Sequence, residues 1–226
     1  MTETLQPVEP APTNVATAAA APEKTAGTVT VRRRTVDTLL VAAGVVVSAV
    51  LIAAGVLLTW GNNFAEDYVG DELTAQHVFF PDQASLEEDG RSDLVQYADE
   101  QVTTGSEAEA YASYIDGHLA GIADGATYAD MGPTVREAQD AVTAAQDAGQ
   151  SEATITELQA TADELSGQRD SLFKGETLRG LLLSTFAWST IGRIAGIAAV
   201  VAFVAAGVML ILVIAGLVHR SRTATT

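Results

Sequence analysis

Residues 39–60 read LLVAAGVVVSAVLIAAGVLLTW, a run of 22 residues with no charge and no proline. At 1.5 Å per residue it makes about 33 Å of helix, against roughly 30 Å of bilayer hydrocarbon. A segment crossing hydrocarbon must satisfy its own backbone groups, so the run is expected to be helical. Near the other end, residues 194–218 form a second uncharged run of 25 residues, long enough to span with some tilt. The expected fold class is therefore an all-α membrane protein with two transmembrane helices, at 36–60 and 194–218.

A cleavable signal peptide is the rival reading of the first run. The apolar stretch is too long for one, a 31-residue segment precedes the arginine-flanked run, and GNNFAEDY after it offers no small-x-small cleavage site. The anchor reading is preferred. Arg32, Arg33 and Arg34 flank one span, and His219, Arg220 and Arg222 flank the other. The positive-inside rule then puts both chain ends in the cytoplasm, at the cell membrane, with the middle outside. Trp60 and Trp188 read as anchors at the outer interface, where an indole keeps its N–H wet.

The charge is concentrated between the spans. Residues 61–180 hold 25 of the 29 acids and 5 of the 12 bases, a net charge of about −20 within a chain total of −17. Such a surface repels nucleic acid and anionic headgroups, and favours cations or basic partners. With no cysteine, neither a disulfide framework nor a thiolate metal site is available.

Along the chain, residues 1–34 form a proline-punctuated tail, expected to be disordered and cytoplasmic. Past Trp60, the spacing of Phe64, Tyr68 and Leu73 predicts that the first span continues outward for three or four turns, to a stop at His77-Val78-Phe79-Phe80-Pro81. Residues 82–93 read as a surface loop, and 94–102 as a short helix. Ser106-x-x-Glu109 has the form of a capping box opening a helix that ends near Gly125, with Tyr111, Ile115, Leu119 and Ile122 on one face. Met131-Gly132-Pro133 resets the chain.

From there two seams of heptad type appear. Val135, Ala138, Val142 and Ala145 make the first; Ile155, Leu158, Ala162, Leu165, Arg169 and Leu172 make the second. Separated by residues 148–151, they suggest an antiparallel helical hairpin, with a second capping box at Thr154-x-x-Glu157. One continuous helix through Gly149 is the alternative, since glycine costs only about 1 kcal/mol in a helix interior. Residues 181–193 form an apolar membrane-proximal helix that must bury its face on protein, most simply on the outward extension of the first span. Residues 219–226 are a short cytoplasmic tail. Within the bilayer, Gly192-x-x-x-Gly196, the alanines of 195–206, Gly44-x-x-x-Ser48 and Ala49-x-x-x-Ala53 supply the small residues that let two helices approach.

Chemical signatures are absent. His77, His118 and His219 sit in no ligand motif, and a His77–His118 metal centre would need an acid that nothing in the sequence brings near. The run 87–93 lacks the acid spacing of a calcium loop, although a weak divalent site stays open. No catalytic serine motif, phosphate loop or dinucleotide fingerprint occurs, and no cofactor is implied. Neither span carries an acid or base apart from Arg193 at its outer edge and Asp37 at its inner one, which argues against a self-contained transporter.

The motifs Trp60-Gly61-x-x-Phe64, His77 to Pro81, Thr103-Thr104-Gly105 to His118-Leu119, and 181–192 resemble small two-pass membrane proteins of high-GC bacteria, a group without an assigned activity. The resemblance covers roughly residues 35–218 and implies one ectodomain with its two anchors. Two functions follow as expectations. One is a non-enzymatic accessory or scaffold component that binds a protein partner of a membrane complex. The other is an extracytoplasmic sensor taking a cation or small solute on the acidic surface.

Overall fold

The structure, a computed structural model, describes residues 33–223. Five α-helices carry the chain: α1 (Arg33–Ala75), α2 (Gln83–Glu88), α3 (Gly105–Ala120), α4 (Met131–Asp147) and α5 (Glu152–Thr223). No strand occurs among the described residues, only one antiparallel bridge, Phe79 to Gln101. Helix α5 has 72 residues and is about 108 Å long. It is the spine: α4 packs on its first part, α3 on its middle and α1 along its last part.

Both α1 and α5 are long and apolar enough to cross a membrane. The most apolar stretch of α1 is only 17% buried, and that of α5 only 22%. A core helix of a water-soluble protein hides such a stretch.

The pair runs antiparallel in constant register. Val41 lies beside Gly216, Gly44 beside Val213, Gly55 beside Phe203, Asn62 beside Gly196 and Ala65 beside Gly192. A Cβ at Gly44 would stand 2.6 Å from Val213 Cγ2, and one at Gly192 would stand 2.8 Å from the Ala65 Cβ. No side chain fits at either place without parting the helices. Ser48, Ala199, Ala202, Ala206 and Val213 complete the buried seam. The Ser48 hydroxyl donates to the Gly44 carbonyl at 2.8 Å, so its burial leaves no polar group unpaired. Ala49 and Ala53 are exposed. That small pair takes no part in the contact, because helical rotation turns it away from α5.

Helix α1 does continue past Trp60, to Ala75, about four turns further on. The face that packs there is Ala65, Val69 and Leu73. Phe64 and Tyr68, which the spacing grouped with Leu73, belong instead to an exposed row with Trp60.

Beyond α1 the chain builds a small core over α3 and α5. Val69, Leu73, Phe80, Leu86, Leu94, Val102, Ala108, Ala112, Tyr114 and Leu182 form it, and Leu86 and Val102 are fully buried. Burying each of these two side chains contributes about 1.5–3 kcal/mol. Residues 78–80 and 100–102 are extended and exchange backbone bonds, Phe80 N–H to Glu100 O at 2.9 Å and Val102 N–H to Val78 O at 2.9 Å. Phe80 is thereby held in the core, stacked on Tyr97 and edge-on to Tyr111. A second small cluster, Leu119, Met131 and Leu172, joins α3 and α4 to α5.

Several local expectations are corrected. The stretch 82–93 is not a simple surface loop. Asp82 caps α2 by accepting from Ser85 N–H at 3.0 Å, and Leu86 inside α2 anchors the segment. Residues 92–97 form a 3-10 helix, and the expected helix over 94–102 stops there because 100–102 pair with 78–80. The capping box of α3 is Thr104-x-x-Glu107, two residues before the expected one, and α3 ends at Ala120 rather than near Gly125. At α5 the Ser151 hydroxyl caps Thr154 N–H at 3.2 Å, so Thr154 lies inside the first turn. In α4, Pro133 sits in the first turn, where a missing N–H costs nothing.

Gly149 adopts φ +60 between α4 and α5, and Gln150 N–H closes onto Ala145 O at 3.0 Å. The chain therefore turns there instead of running on as one helix. Residues 33 and 34, assigned from sequence to the tail, open α1, and 219–223 finish α5. The rest of the predicted tails, 1–32 and 224–226, lies outside the described residues.

Candidate interaction site

Most of the carboxylates that invited a cation are already engaged; Glu88 is exposed. Asp82 caps α2, Glu87 accepts from Gln83 Nε2 at 2.8 Å, and Asp93 accepts from Arg91 Nε and Nη2 at 3.0 and 2.8 Å. Asp89 accepts from the Tyr114 hydroxyl at 2.9 Å. Among the described residues, no three His, Asp or Glu side chains converge so as to hold a metal ion. The His118 ring lies 4.5 Å from that of Tyr114, tilted by 48°, and reaches Asp89 at 3.8 Å. His77 lies elsewhere, exposed in the turn after α1 at φ +52.

These polar contacts fasten the 82–97 segment to α3. Arg91 is the rivet: its guanidinium donates to the Ser113 carbonyl at 2.6 Å and to the Ser113 hydroxyl at 2.7 Å while holding Asp93. The Asp93 hydrogen bond raises the Arg91 pKa and lowers that of Asp93. Burial, helped by Asp89, pushes the Tyr114 phenol up to about 12. The phenol is thus a neutral donor, and the arrangement holds structure rather than moving protons. Similar fastening recurs at Arg179, which meets Asp116 of α3 at 3.3 Å. Arg169 lies 4.1 Å over the Tyr128 ring.

What the fold leaves uncovered is apolar. Trp60, Phe64 and Tyr68 stack up the outside of α1, with ring centres 5.7 and 6.1 Å apart and exposures of 67, 56 and 54%. Tyr68 forms one wall of a groove between the outer end of α1 and α5, whose other wall carries Leu178, Leu181 and Trp188. Leu181 is 62% exposed and Trp188 57%. Glu72, one turn above Tyr68, supplies the charge that lines the groove, and Ser184 and Thr185 supply hydroxyls.

The register fixes the height of this groove. Gly192 lies beside Ala65, so Trp188 stands about 13 Å further along the pair than Trp60. One thin interfacial layer does not hold both indoles of an upright pair, which separates two residues that sequence reading treated alike. The groove itself was not visible in sequence. The one available hint was the row Trp60, Phe64, Tyr68 and Glu72 at intervals of four. In comparisons with known proteins, no family model, no curated protein and no solved structure matches the chain.

Proposed function

We propose that this chain is a two-pass integral membrane protein whose acidic helical domain lies outside the cytoplasm and binds a protein partner, as an accessory or scaffold component of a membrane complex. The observation that carries this reading is the α1–α5 pair. Its lower part exposes apolar side chains all round, while its upper part merges into a small core with exposed acids. Lipid suits the first and water the second. Arg33, Arg34, Arg220 and Arg222 at the lower end make that end cytoplasmic by the positive-inside rule. On this reading 61–180 is the ectodomain, and α4 with the first part of α5 is an antiparallel hairpin standing at its far end.

The engaged carboxylates of 82–93 favour a protein partner over a bound cation. Asp82, Glu87, Asp89 and Asp93 are caps and ties of the fold, and among the described residues no three acids or histidines converge on one point. Reporter fusions test the topology: one joined after Thr226 is expected to be active only in the cytoplasm and one inserted at Gly149 only outside. The reverse pattern overturns it. For the partner, crosslinking in native membranes is expected to recover a second, reproducible protein; recovery of this chain alone counts against the accessory reading.

A further inference from the structure

We infer that the groove between α1 and α5 is the docking seat for a helix of a different membrane protein, one with an apolar face and a Lys or Arg level with Glu72. This rests on the membrane reading above and deepens it by naming surface and partner chemistry. The groove has straight walls parallel to the two helix axes, Tyr68 and Glu72 on one side and Leu178, Leu181 and Trp188 on the other. Such a channel fits a rod-like apolar element two or three turns long.

Its height says what can fill it. From Trp188 to Leu178 the groove runs about 15 Å, starting about 13 Å above Trp60. Hydrocarbon that ends near Trp60 does not reach it. Helix α3 cannot cover it either, because it packs on α5 through the positions beside Gly175, Arg179 and Ser189, on the other flank of α1. Leu181 and Trp188 therefore stay in water unless protein covers them. Below the groove, Phe64 on α1 and Ile191 and Ile194 on α5 are also exposed, so apolar side chains recur on the outside of the pair from the groove down to its most apolar part. A helix rising out of its own membrane span alongside this pair would follow that surface directly into the groove.

Charge selects among such helices. Glu72 is exposed and has no ion pair with any described residue, whereas Lys174, a turn above the groove, is held by Asp170. A second copy of this chain would set its own 61–180 segment, of net charge about −20, against that of the first, so the field opposes self-docking and favours a basic partner.

The test uses the full chain in its native membrane, with a photoreactive amino acid replacing Leu181, one replacing Gln146 on the exposed face of α4, and one replacing Leu212 as a lipid-facing control. The Leu181 probe is expected to join a peptide of another protein, apolar, flanking a membrane span and carrying Lys or Arg within one turn. Glu72→Lys is expected to reduce that adduct roughly tenfold, while Asp163→Lys leaves it unchanged. Glu72 is exposed, so its reversal leaves the fold intact, as unchanged helix content and protease resistance would show. Adducts to this chain itself, to lipid only, or to an acidic peptide overturn the inference, as does insensitivity to Glu72→Lys. A silent Leu181 probe with a productive Gln146 probe overturns the groove but keeps the accessory reading. Silence at both sinks both.

Discussion

The two halves of the α1–α5 pair are held by opposite kinds of side chain. Below Ala65 the seam is mostly small groups that bring backbones together, Gly44, Ser48, Gly55, Ala199, Ala202 and Ala206, with Val213 and Phe203 set against the glycines. Above it the contact passes to Val69, Leu73 and Leu182, joined by Phe80, Leu86 and Tyr114. In lipid there is no hydrophobic gain from hiding a leucine, so close backbone approach and dispersion supply the attraction. In water the gain grows with apolar area removed, so large side chains gather. On the membrane reading proposed above, one continuous helix obeys both rules because it passes from one solvent into the other.

The largest expected effect breaks the upper half alone. Leu86→Asp puts a charge where the side chain is fully buried, which costs on the order of 4 kcal/mol or more. Hydrogen exchange should show the amides of 78–120 losing protection while those of 39–58 keep it. Loss of protection along both halves would mean that the two are one cooperative unit.

The lower half is sharpened by Gly192→Leu. Overpacking against Ala65 is expected to cost about 1–3 kcal/mol and to part the helices. Disulfide formation between Val41→Cys and Gly216→Cys, which face each other across the seam, reads the separation. Gly180→Leu is the matched control, since a Cβ at Gly180 meets nothing within 4 Å. If both changes reduce the crosslink equally, close approach is not what holds the pair.

Thr104→Ala removes the side chain that caps Glu107 N–H and is expected to destabilise the upper half by about 1 kcal/mol. Ser106→Ala should cost less, because Ser106 is already inside the helix and its hydroxyl gives up only an exposed, long bond from Arg193 at 3.3 Å. Denaturant melts of the two variants distinguish the two registers of the cap.

The smallest effect is in pH. The Tyr114 phenol is raised in the folded state to about 12, mainly by burial. Its contribution to stability is therefore complete below the unfolded value near 10 and is lost as pH rises from there through about 12. Tyr114→Phe should flatten the alkaline part of a melting-temperature profile. An unchanged profile would show that the hydroxyl is not held as described.

The local errors of sequence reading share a cause. Ser106-x-x-Glu109 and Thr104-x-x-Glu107 satisfy the same motif, and in the fold it is the second that caps α3, with Gly105 seated closely against Ser189 of α5. In α3 the large residues Tyr111 and Ile115 marked a face, yet the most buried positions are Ala108 and Ala112, because small residues sit where helices touch. Leu86 lies in a polar stretch and gave no periodic signal. Its burial depends on the 78–80 and 100–102 pairing, a contact distant along the chain.

By itself the sequence determined that the chain is helical, that two runs are long and apolar enough to span a membrane, and where the acidic charge lies; at Gly149 it left a turn and a continuous helix both open. These follow from local quantities: length, charge and residue size. Only the tertiary structure decided that Trp60 and Trp188 lie at different heights, that Phe64 and Tyr68 face away from the seam, and that Leu178, Leu181 and Trp188 line an open groove with Glu72. Each depends on the antiparallel register of α1 on α5. That register is set by close contacts such as Gly44 with Val213 and Gly192 with Ala65, between residues that no local pattern pairs.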